Sequence, residues 1–299
     1  MTAATPLVLP KATAWFRFAN GDAAAGGTGH LGAVTPAGEW FDLGALDVHA
    51  LLAHGALRAD DLAHRIAGAP RMAAPQRFLL PVPQPGKILC LAKNYVAHAR
   101  EFGAEAPTEP IFFAKLPDTL VPHGAPVVIP HWLETRVDHE AELALVLGFP
   151  DAELRGAKYL DERDALRVVA GYTVLNDVTA RKLQGQDREH KYPWLRAKSL
   201  DTFCPVGPFV VPADALDAGD LEVTMRVNGE IRQRARTKDM VFSIAQALVA
   251  MARCTTLRPG DLIAMGTPEG VGPVVDGDRM EVEVEGLGVL ANPVVKERR

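Results

Sequence analysis

The sequence predicts an α+β protein that is mainly β, with a small domain followed by a larger one. Short segments of apolar or alternating residues, bounded by Gly and Pro, recur along the chain and are typical of strands. One of them, residues 221–227, alternates cleanly and is followed by Asn228-Gly229, the dipeptide most typical of a tight hairpin. With 299 residues, 48% of them hydrophobic, the chain can bury a sizeable core.

Residues 1–75 are predicted to form the small domain, which mixes helices and strands. Apolar patterns with intervening Gly and Pro predict the strands, and Leu and Ile at helical spacing predict the helices. The predicted strands are 14–18, 30–34 and 39–43, and the predicted helices are 47–55 and 59–68. Several prolines then interrupt the chain, so residues 76–86 are assigned as a linker to a larger domain over 87–299.

The segment from Gly27 to Gly32 matches the G-x-G-x-x-G pattern of dinucleotide-binding loops. That motif must open a helix so that the pyrophosphate meets the helix N-terminus. Here Pro36 and Gly38 follow directly, and the next segment has the pattern of a strand. A nucleotide site is therefore rejected.

The larger domain alternates strands with a few helices and loops. Apolar runs predict strands and amphipathic segments predict helices, while polar or glycine-rich stretches predict loops. The predicted strands are 87–91, 111–115, 137–148, 171–177 and 280–284, the helices are 94–103, 160–170 and 241–253, and the loops are 184–194 and 266–272.

Three acids precede the apolar run of residues 143–147. Asp138, Glu140 and Glu142 stand at positions i, i+2 and i+4, which point to one face of a strand. Burying such carboxylates unpaired costs several kcal/mol or more. They therefore require Arg or Lys partners or a hard metal ion, unless the strand is an exposed edge whose acids are solvated.

His98 and Glu101 lie three residues apart in the predicted helix 94–103 and share one face. A carboxylate that orients an imidazole suits general-base chemistry near neutral pH. The alternative is a surface histidine beside a surface glutamate, a pair that helices often contain.

Composition excludes several classes of protein. A net charge of −5 gives no basic footprint for nucleic acid or an anionic membrane. The N-terminus lacks the charged and apolar regions of a signal peptide, and no apolar run approaches a membrane span. Three scattered cysteines are too few for a disulfide framework or a zinc site. These observations predict a soluble cytoplasmic protein.

Five motifs, taken in order, resemble those of the fumarylacetoacetate hydrolase family. They are Asn94-Tyr95-x-x-His98-x-x-Glu101, Asp138-x-Glu140-x-Glu142-Leu143, Asn176-Asp177-Val178-Thr179-Ala180-Arg181-x-x-Gln184, Lys198-Ser199-x-Asp201-Thr202-Phe203, and Pro259-Gly260-Asp261 continued by Gly266-Thr267-Pro268-x-Gly270-Val271-Gly272. The match covers roughly residue 85 to the C-terminus. It implies a catalytic domain that is a mixed β-roll or β-sandwich with peripheral helices, in a homodimer.

The same resemblance assigns the site residues. It implies that Glu140, Glu142 and Asp177 bind a metal. Asp138 would at most support these ligands without binding the ion itself. Three hard oxygen ligands without a thiolate suit Mg²⁺, or else Mn²⁺ or Ca²⁺, better than Zn²⁺. The remaining residues are implied for catalysis or substrate binding. His98, Glu101 and Lys198 are the expected catalytic residues, and Arg181, Gln184, Thr267 and Lys115 are the expected substrate-binding residues.

The resemblance implies a metal-dependent hydrolase that cleaves a C–C bond in acylpyruvate-like β-diketo acids through a metal-bound pyruvate enolate. In that reaction His98, oriented by Glu101, activates water, and Lys198 and Gln184 hold the oxyanion. Two alternatives use the same enolate: decarboxylation or tautomerisation of 2-oxo diacids such as oxaloacetate, and isomerisation of 2-hydroxy-dienoates in aromatic catabolism. A non-catalytic metal-binding or ligand-binding module is an alternative of another class, against which the His98–Glu101 pair argues.

Overall fold

The computed structural model describes residues 7–19, 29–101, 103, 105–149, 154 and 156–298. Within these residues it contains 21 strands and seven α-helices, so the α+β, mainly β class is confirmed. The strands are β1 (Ala14–Phe18), β2 (His30–Val34), β3 (Trp40–Gly44), β4 (Arg71–Met72), β5 (Phe78–Leu79), β6 (Ile88–Ala92), β7 (Ile111–Lys115), β8 (Leu120–Val121), β9 (Val127–Ile129), β10 (Val137–His139), β11 (Ala141–Leu147), β12 (Val169–Asn176), β13 (Thr179–Ala180), β14 (Cys204–Pro205), β15 (Phe209–Pro212), β16 (Glu222–Val227), β17 (Glu230–Arg236), β18 (Leu262–Ala264), β19 (Gly272–Val274), β20 (Arg279–Val284) and β21 (Gly288–Lys296). The helices are α1 (Val48–Ala53), α2 (Ala59–Ala67), α3 (Val96–Glu101), α4 (Glu162–Ala165), α5 (Arg181–Glu189), α6 (Leu195–Lys198) and α7 (Ile244–Cys254).

One large sheet combines strands from both sides of the predicted linker. Its strands follow the order β4-β3-β2-β1-β15-β12-β11-β18-β6-β7, and β5 pairs with β1. The N-terminal strands join the rest through β1, because Trp15 pairs with Val210 of β15. The strands before and after the predicted linker therefore belong to one sheet, and the linker itself contributes β5.

A second sheet packs on the first. It has five strands in the order β17-β16-β20-β21-β9, and its strands β16, β20 and β21 contact β11 and β12. Two small sheets, β13-β10-β19 and β14-β8, complete the strand pairing. This stacked arrangement with few helices matches the mixed β-roll or sandwich expected from the resemblance.

Strand β11 lies in the middle of this packing and is buried on both faces. Leu143 and Leu145 belong to the core between the two sheets, whereas Ala144 and Val146 face a second core that includes Leu52 of α1. A strand covered on both faces needs apolar residues at consecutive positions, and this explains the uninterrupted run in the sequence.

The hairpin predicted at Asn228-Gly229 is confirmed. Strands β16 and β17 are antiparallel, and Val227 pairs with Glu230 across the turn. Asn228 has φ 53° and Gly229 has φ 83°, as a two-residue turn with two left-handed positions requires.

The expected helix over 160–170 is wrong in its length. Helix α4 spans only Glu162–Ala165 and is followed by a 3₁₀ turn over Leu166–Val168. Strand β12 then begins at Val169, which pairs with Leu147. Pairing with a buried strand outweighs the helical pattern, since local propensity is weaker than tertiary packing.

The expected loop over 184–194 is also wrong in its first half, which belongs to helix α5. The side chains of Arg181 and Gln184 are joined by a hydrogen bond of 2.6 Å, and Asp187 accepts one of 2.5 Å from Arg196 near the start of α6. The helix is therefore stabilised by polar contacts that a scan for apolar periodicity does not detect.

The glycine-rich segment 27–32 lies partly outside the described residues, because residues 20–28 are not among them. Its last three residues, His30 to Gly32, belong to β2. In the described part of the chain, no helix is long and apolar enough to span a membrane.

Candidate active site

A cavity of about 230 Å³ opens between α3, α5, α6 and the ends of β6, β7 and β11. This is below the roughly 300–1,000 Å³ typical of pockets for drug-sized ligands, so it suits a small molecule. Most of the predicted site residues line it. Those are His98, Glu140, Glu142, Arg181, Gln184, Lys198 and Thr267.

Glu140 reaches the cavity because the chain changes sheets at this residue. It lies between β10, which pairs with β13 and β19, and β11, which pairs with β12 and β18. Its N–H donates to Asn176 Oδ1 at 2.9 Å, and its carbonyl accepts from the Asp177 N–H at 2.9 Å. The expectation of one unbroken strand through the acids is therefore corrected: the side chain of Asn176 replaces a strand partner at Glu140.

The three acids assigned as metal ligands come together. Glu140, Glu142 and Asp177 each offer a carboxylate oxygen within 4.8 Å of the others, and all three side chains are buried. Glu142 comes from β11, and Asp177 directly follows the neighbouring strand β12. Antiparallel pairing of Ala141 with Asn176 places both acids at the same end of the sheet.

Two buried lysines neutralise part of this cluster. Lys198 donates to Glu140 Oε2 at 2.7 Å and to Asp177 Oδ2 at 2.6 Å, and Lys115 donates to Asp177 Oδ1 at 2.6 Å. Burial would lower the pKa of Lys198, but the charges of Asp177 and Glu140 outweigh it and raise that pKa above its ordinary value. Lys198 is therefore a buried ammonium.

Arg181 connects the cluster to Asp138. Its guanidinium donates to Asp138 Oδ2 at 2.8 Å and to Glu140 Oε1 at 2.5 Å. Arg136 donates to the other oxygen of Asp138 at 2.5 Å, so Asp138 is satisfied by arginines and lies behind the acid cluster. Burial works against the ionisation of Glu140, yet Lys198 and Arg181 hold the pKa of its carboxyl below the usual range.

Glu142 differs from its two neighbours because it makes no ion pair with any described lysine or arginine. Its carboxylate accepts one hydrogen bond, from the Gly266 N–H at 2.7 Å. Burial, together with the charges of Asp177 and Glu140, raises the pKa of Glu142 well above its usual value. A divalent cation at the cluster would compensate this charge, and three buried carboxylates are the donor set that hard cations such as Mg²⁺ and Mn²⁺ prefer. The residues present therefore fit such an ion.

Gly266 can donate to Glu142 only in a backbone conformation that glycine favours. Its φ is 91°, and a Cβ at this position would lie 2.8 Å from Asn94 Cβ. Asn94 in turn donates to the Met265 carbonyl at 2.8 Å. The Asn94 and Gly266 motifs thus meet, although 171 residues separate Asn94 from Met265 in the sequence.

The His98–Glu101 pair is present in α3. Nδ1 of His98 lies 3.1 Å from Glu101 Oε2, and the other oxygen of Glu101 accepts from the Gly270 N–H at 3.2 Å. When Nδ1 carries the proton and donates to Glu101, the lone pair of the imidazole is on Nε2. The cavity is lined by His98, which is 8% exposed.

A buried glutamine that the sequence analysis missed anchors two walls of the cavity. Gln233 Nε2 donates to Thr267 Oγ1 and to the Pro268 carbonyl, both at 2.8 Å. Its Oε1 accepts from the Ala141 N–H at 3.0 Å and lies 3.1 Å from His139 Nδ1. Gln233 comes from strand β17, where it stands in alternation with the apolar residues Ile231 and Ala235. A polar residue at such a position was the one feature of the sequence that could have indicated a role for it.

The chain matches the family model described as fumarylacetoacetate (FAA) hydrolase, C-terminal, over residues 87–295. It is 41% identical over 226 residues to the mitochondrial oxaloacetate tautomerase of Bos taurus, which covers 73% of this chain and 69% of the relative.

Two solved structures share the fold over nearly the whole chain. The fumarylacetoacetate hydrolase of Exiguobacterium antarcticum is 35% identical with a TM-score of 0.79, covering 96% of this chain and 100% of its own. Maleylpyruvate hydrolase of Sphingobium sp. SYK-6, solved with manganese(II) and pyruvate, is 32% identical with a TM-score of 0.77, covering 95% and 100%. The chain belongs to the fumarylacetoacetate hydrolase family.

Proposed function

We propose that this protein is a divalent-metal-dependent hydrolase that cleaves a C–C bond in acylpyruvate-like β-diketo acids. The observation that carries the proposal is that one small cavity is lined by Glu140 and Glu142 of the acid cluster and by His98, the partner of Glu101. The acid cluster alone would suit a protein that only binds a metal. A histidine oriented by a carboxylate adds a general base, which such a protein does not need.

Glu140, Glu142 and Asp177 would hold Mg²⁺, with Mn²⁺ or Ca²⁺ as alternatives. When bound, the ion supplies a Lewis acid and a template for the carboxylate and 2-oxo oxygen of the substrate. Maleylpyruvate hydrolase, 32% identical, was solved with manganese(II) and pyruvate, which supports a divalent ion and a 2-oxo acid at this site.

His98 is proposed as the general base. Glu101 holds the proton on Nδ1, so Nε2 can accept a proton from the water that attacks the distal carbonyl of the substrate. Because Glu101 is also held by the Gly270 N–H, the orientation of the imidazole depends on the glycine-rich loop.

Lys198 and Gln184 are proposed to hold the negative charge that develops on the attacked carbonyl oxygen. The Gln184 oxygen accepts from Arg181 Nη1 at 2.6 Å, which leaves the Gln184 NH₂ group to donate to substrate. Thr267 lines the same wall, and its hydroxyl accepts a hydrogen bond from Gln233 Nε2 and can donate one to substrate. Cleavage then moves the electron pair of the C–C bond onto the pyruvate fragment, which is protonated to give product.

Tautomerisation of oxaloacetate is the second candidate, favoured by the 41% identity to a relative of that name. Both reactions need the acid cluster, but only hydrolysis needs a base that activates water.

Purified protein stripped with EDTA should be assayed with acylpyruvates, oxaloacetate and 2-hydroxy-dienoates, with and without Mg²⁺ or Mn²⁺. We expect acylpyruvate turnover that appears only with the ion. If the protein turns over oxaloacetate and none of the acylpyruvates, its function is tautomerisation and the proposed hydrolysis is wrong. Full activity after EDTA treatment would contradict metal dependence.

A further inference from the structure

Helix α5 presents a row of residues to the cavity at helical spacing. Arg181, Gln184, Gly185 and Arg188 all line it, and they stand at i, i+3, i+4 and i+7, the positions that share one face of a helix. At about 1.5 Å per residue, Arg188 lies roughly 10 Å further along the helix axis than Arg181. The row therefore runs from the acid cluster towards the opposite end of the cavity.

The two arginines of this row differ in their partners. The guanidinium of Arg181 is held by Asp138, Glu140 and Gln184. Within the described residues, the side chain of Arg188 makes no hydrogen bond or ion pair, and the residue is exposed at the cavity wall. A guanidinium carries five N–H donors in a planar fork that matches a carboxylate. Arg188 is thus a cation at the cavity with its donors available.

Gly185 leaves space between the two ends of the row. A Cβ at this position would have no neighbouring heavy atom within 4 Å. Glycine inside a helix costs about 1 kcal/mol relative to alanine, and Gly185 has no positive φ that would require it. The absence of a side chain therefore widens the passage from Gln184 to Arg188.

Two aromatic side chains form part of the cavity wall. Phe113 and Trp194 both line the cavity and contact each other edge to face, with ring centroids 5.8 Å apart. The cavity thus has the acid cluster at one end of the α5 row and Arg188 at the other. Its aromatic wall begins beside the acid cluster, where Lys198 Nζ lies 5.0 Å from the centre of the Phe113 ring. This order matches a hydrocarbon chain that carries a polar group at each end.

We propose that Arg188 determines specificity by binding a second carboxylate, at the end of the substrate remote from its 2-oxo acid group. The proposal rests on the proposed function, since the 2-oxo acid group is the one assigned to the acid cluster. It narrows the substrate class from acylpyruvates in general to those whose acyl group ends in a carboxylate. Arg188 contacts no bond that is made or broken, so its effect is on binding.

Two pairs of compounds test this assignment. The substrates 2,4-dioxoheptanedioate and 2,4-dioxoheptanoate have equal length, and only the first ends in a carboxylate. The pair 2-oxoheptanedioate and 2-oxoheptanoate has the same difference but lacks the 4-oxo group, so it reports binding without cleavage. Turnover of the first pair and calorimetric binding of the second would be measured with Mn²⁺-loaded protein.

For the wild type we expect the diacid of each pair to be preferred by at least about tenfold, as a charge-assisted bond to a guanidinium predicts. In Arg188→Gln the preference should disappear because the diacid weakens, while values for the monoacid stay within about threefold. The control is Lys182→Gln, which removes a positive charge from the exposed face of the same helix and should leave the preference intact.

Equal binding of diacid and monoacid by the wild type, or a preference that survives in Arg188→Gln, would overturn the assignment of Arg188. An unchanged preference in the binding pair without turnover of either dioxo acid would instead contradict the proposed hydrolysis and leave Arg188 as the diacid-binding residue. Loss of the preference in Lys182→Gln would show that the overall positive charge of the helix selects the diacid, and that the guanidinium of Arg188 does not.

Discussion

Lys198 Nζ lies 2.6 Å from Asp177 Oδ2, and both side chains are almost completely buried. The same ammonium reaches Glu140, so one lysine bridges two of the three acids proposed to bind a metal. Without a metal ion, the folded state depends on this positive charge. Buried acids that have lost their partner are strongly destabilising.

We therefore expect Lys198→Met to lower the free energy of unfolding of metal-free protein by roughly 3–5 kcal/mol. Added Mn²⁺ should restore part of the loss, because the ion supplies the missing positive charge. Urea unfolding with and without Mn²⁺ measures both effects. The control is Lys11→Met, which breaks an exposed pair with Glu285 and should change stability little. A Lys198 variant as stable as the wild type would contradict the proposed role of the ammonium.

Glu142→Gln should abolish the stabilisation of the protein by divalent ions. A ligand that binds only the folded state at 100 times its Kd adds about 2.7 kcal/mol. Wild type should accordingly melt at a higher temperature in Mg²⁺ or Mn²⁺ than in EDTA, and Glu142→Gln should melt at the same temperature in both. Glu134→Gln, at an exposed acid, should keep the wild-type response. A full response to the ion in Glu142→Gln would remove this residue from the ligand set.

His98→Ala should fold and bind metal but lose acylpyruvate hydrolysis by about 10²–10⁴-fold, the usual contribution of a positioned base. Glu101→Gln should lose less, because it disturbs the orientation of the imidazole without removing it. Steady-state kinetics, with metal content measured on the same samples, checks the prediction. Hydrolysis within a few-fold of the wild type in fully loaded His98→Ala would place the base elsewhere.

His123 should make the protein sensitive to moderate acid. Burial, aided by the charge of Arg279, lowers its pKa from 6.5 to about 4, against small opposing effects of a backbone hydrogen bond and Glu281. Well above pH 6.5 the imidazole is neutral in both states, so it has no effect on the pH dependence there. As the pH falls from 6.5 towards 4, the unfolded chain binds a proton that the folded protein does not, and stability is lost.

His123→Asn should keep an acceptor for the Ala291 N–H, which donates to His123 Nδ1 at 3.1 Å, but should remove the proton uptake. The free energy of unfolding should then fall less steeply between pH 6.5 and 4 than it does in the wild type. Urea unfolding across this range measures the difference, and parallel curves for the two proteins would exclude His123 as the cause.

The parts of the fold that depend on local pattern were predictable from the sequence. The Asn228-Gly229 hairpin follows from the turn dipeptide and the alternation before it, and the burial of β11 follows from its run of apolar residues. The acids Glu140 and Glu142 were noticed because carboxylates at the end of a buried strand need a counter-charge. Asp177 joined them only through the resemblance, since pairing of β11 with β12 was not predicted.

Other features depend on contacts between distant parts of the chain. Gln233 joins Thr267 to the start of β11, and no spacing in the sequence indicates that these three meet. Arg181 was expected to bind substrate, and the structure also places it between Asp138 and Glu140. Helix α5 was missed because its stability comes from polar pairs and not from an apolar face.

The pairing of β1 with β15 sets a limit on how the chain can be divided. Phe16 of β1 and Phe209 of β15 pack edge to face, and Phe78 contacts both rings. A fragment starting at residue 87, where the family match begins, would lose two of these rings and leave the edge of β15 unpaired. Such an edge is a template for pairing with another chain. Expressed alone, that fragment should aggregate, so the activity of this protein is best measured on a chain that keeps its first strands.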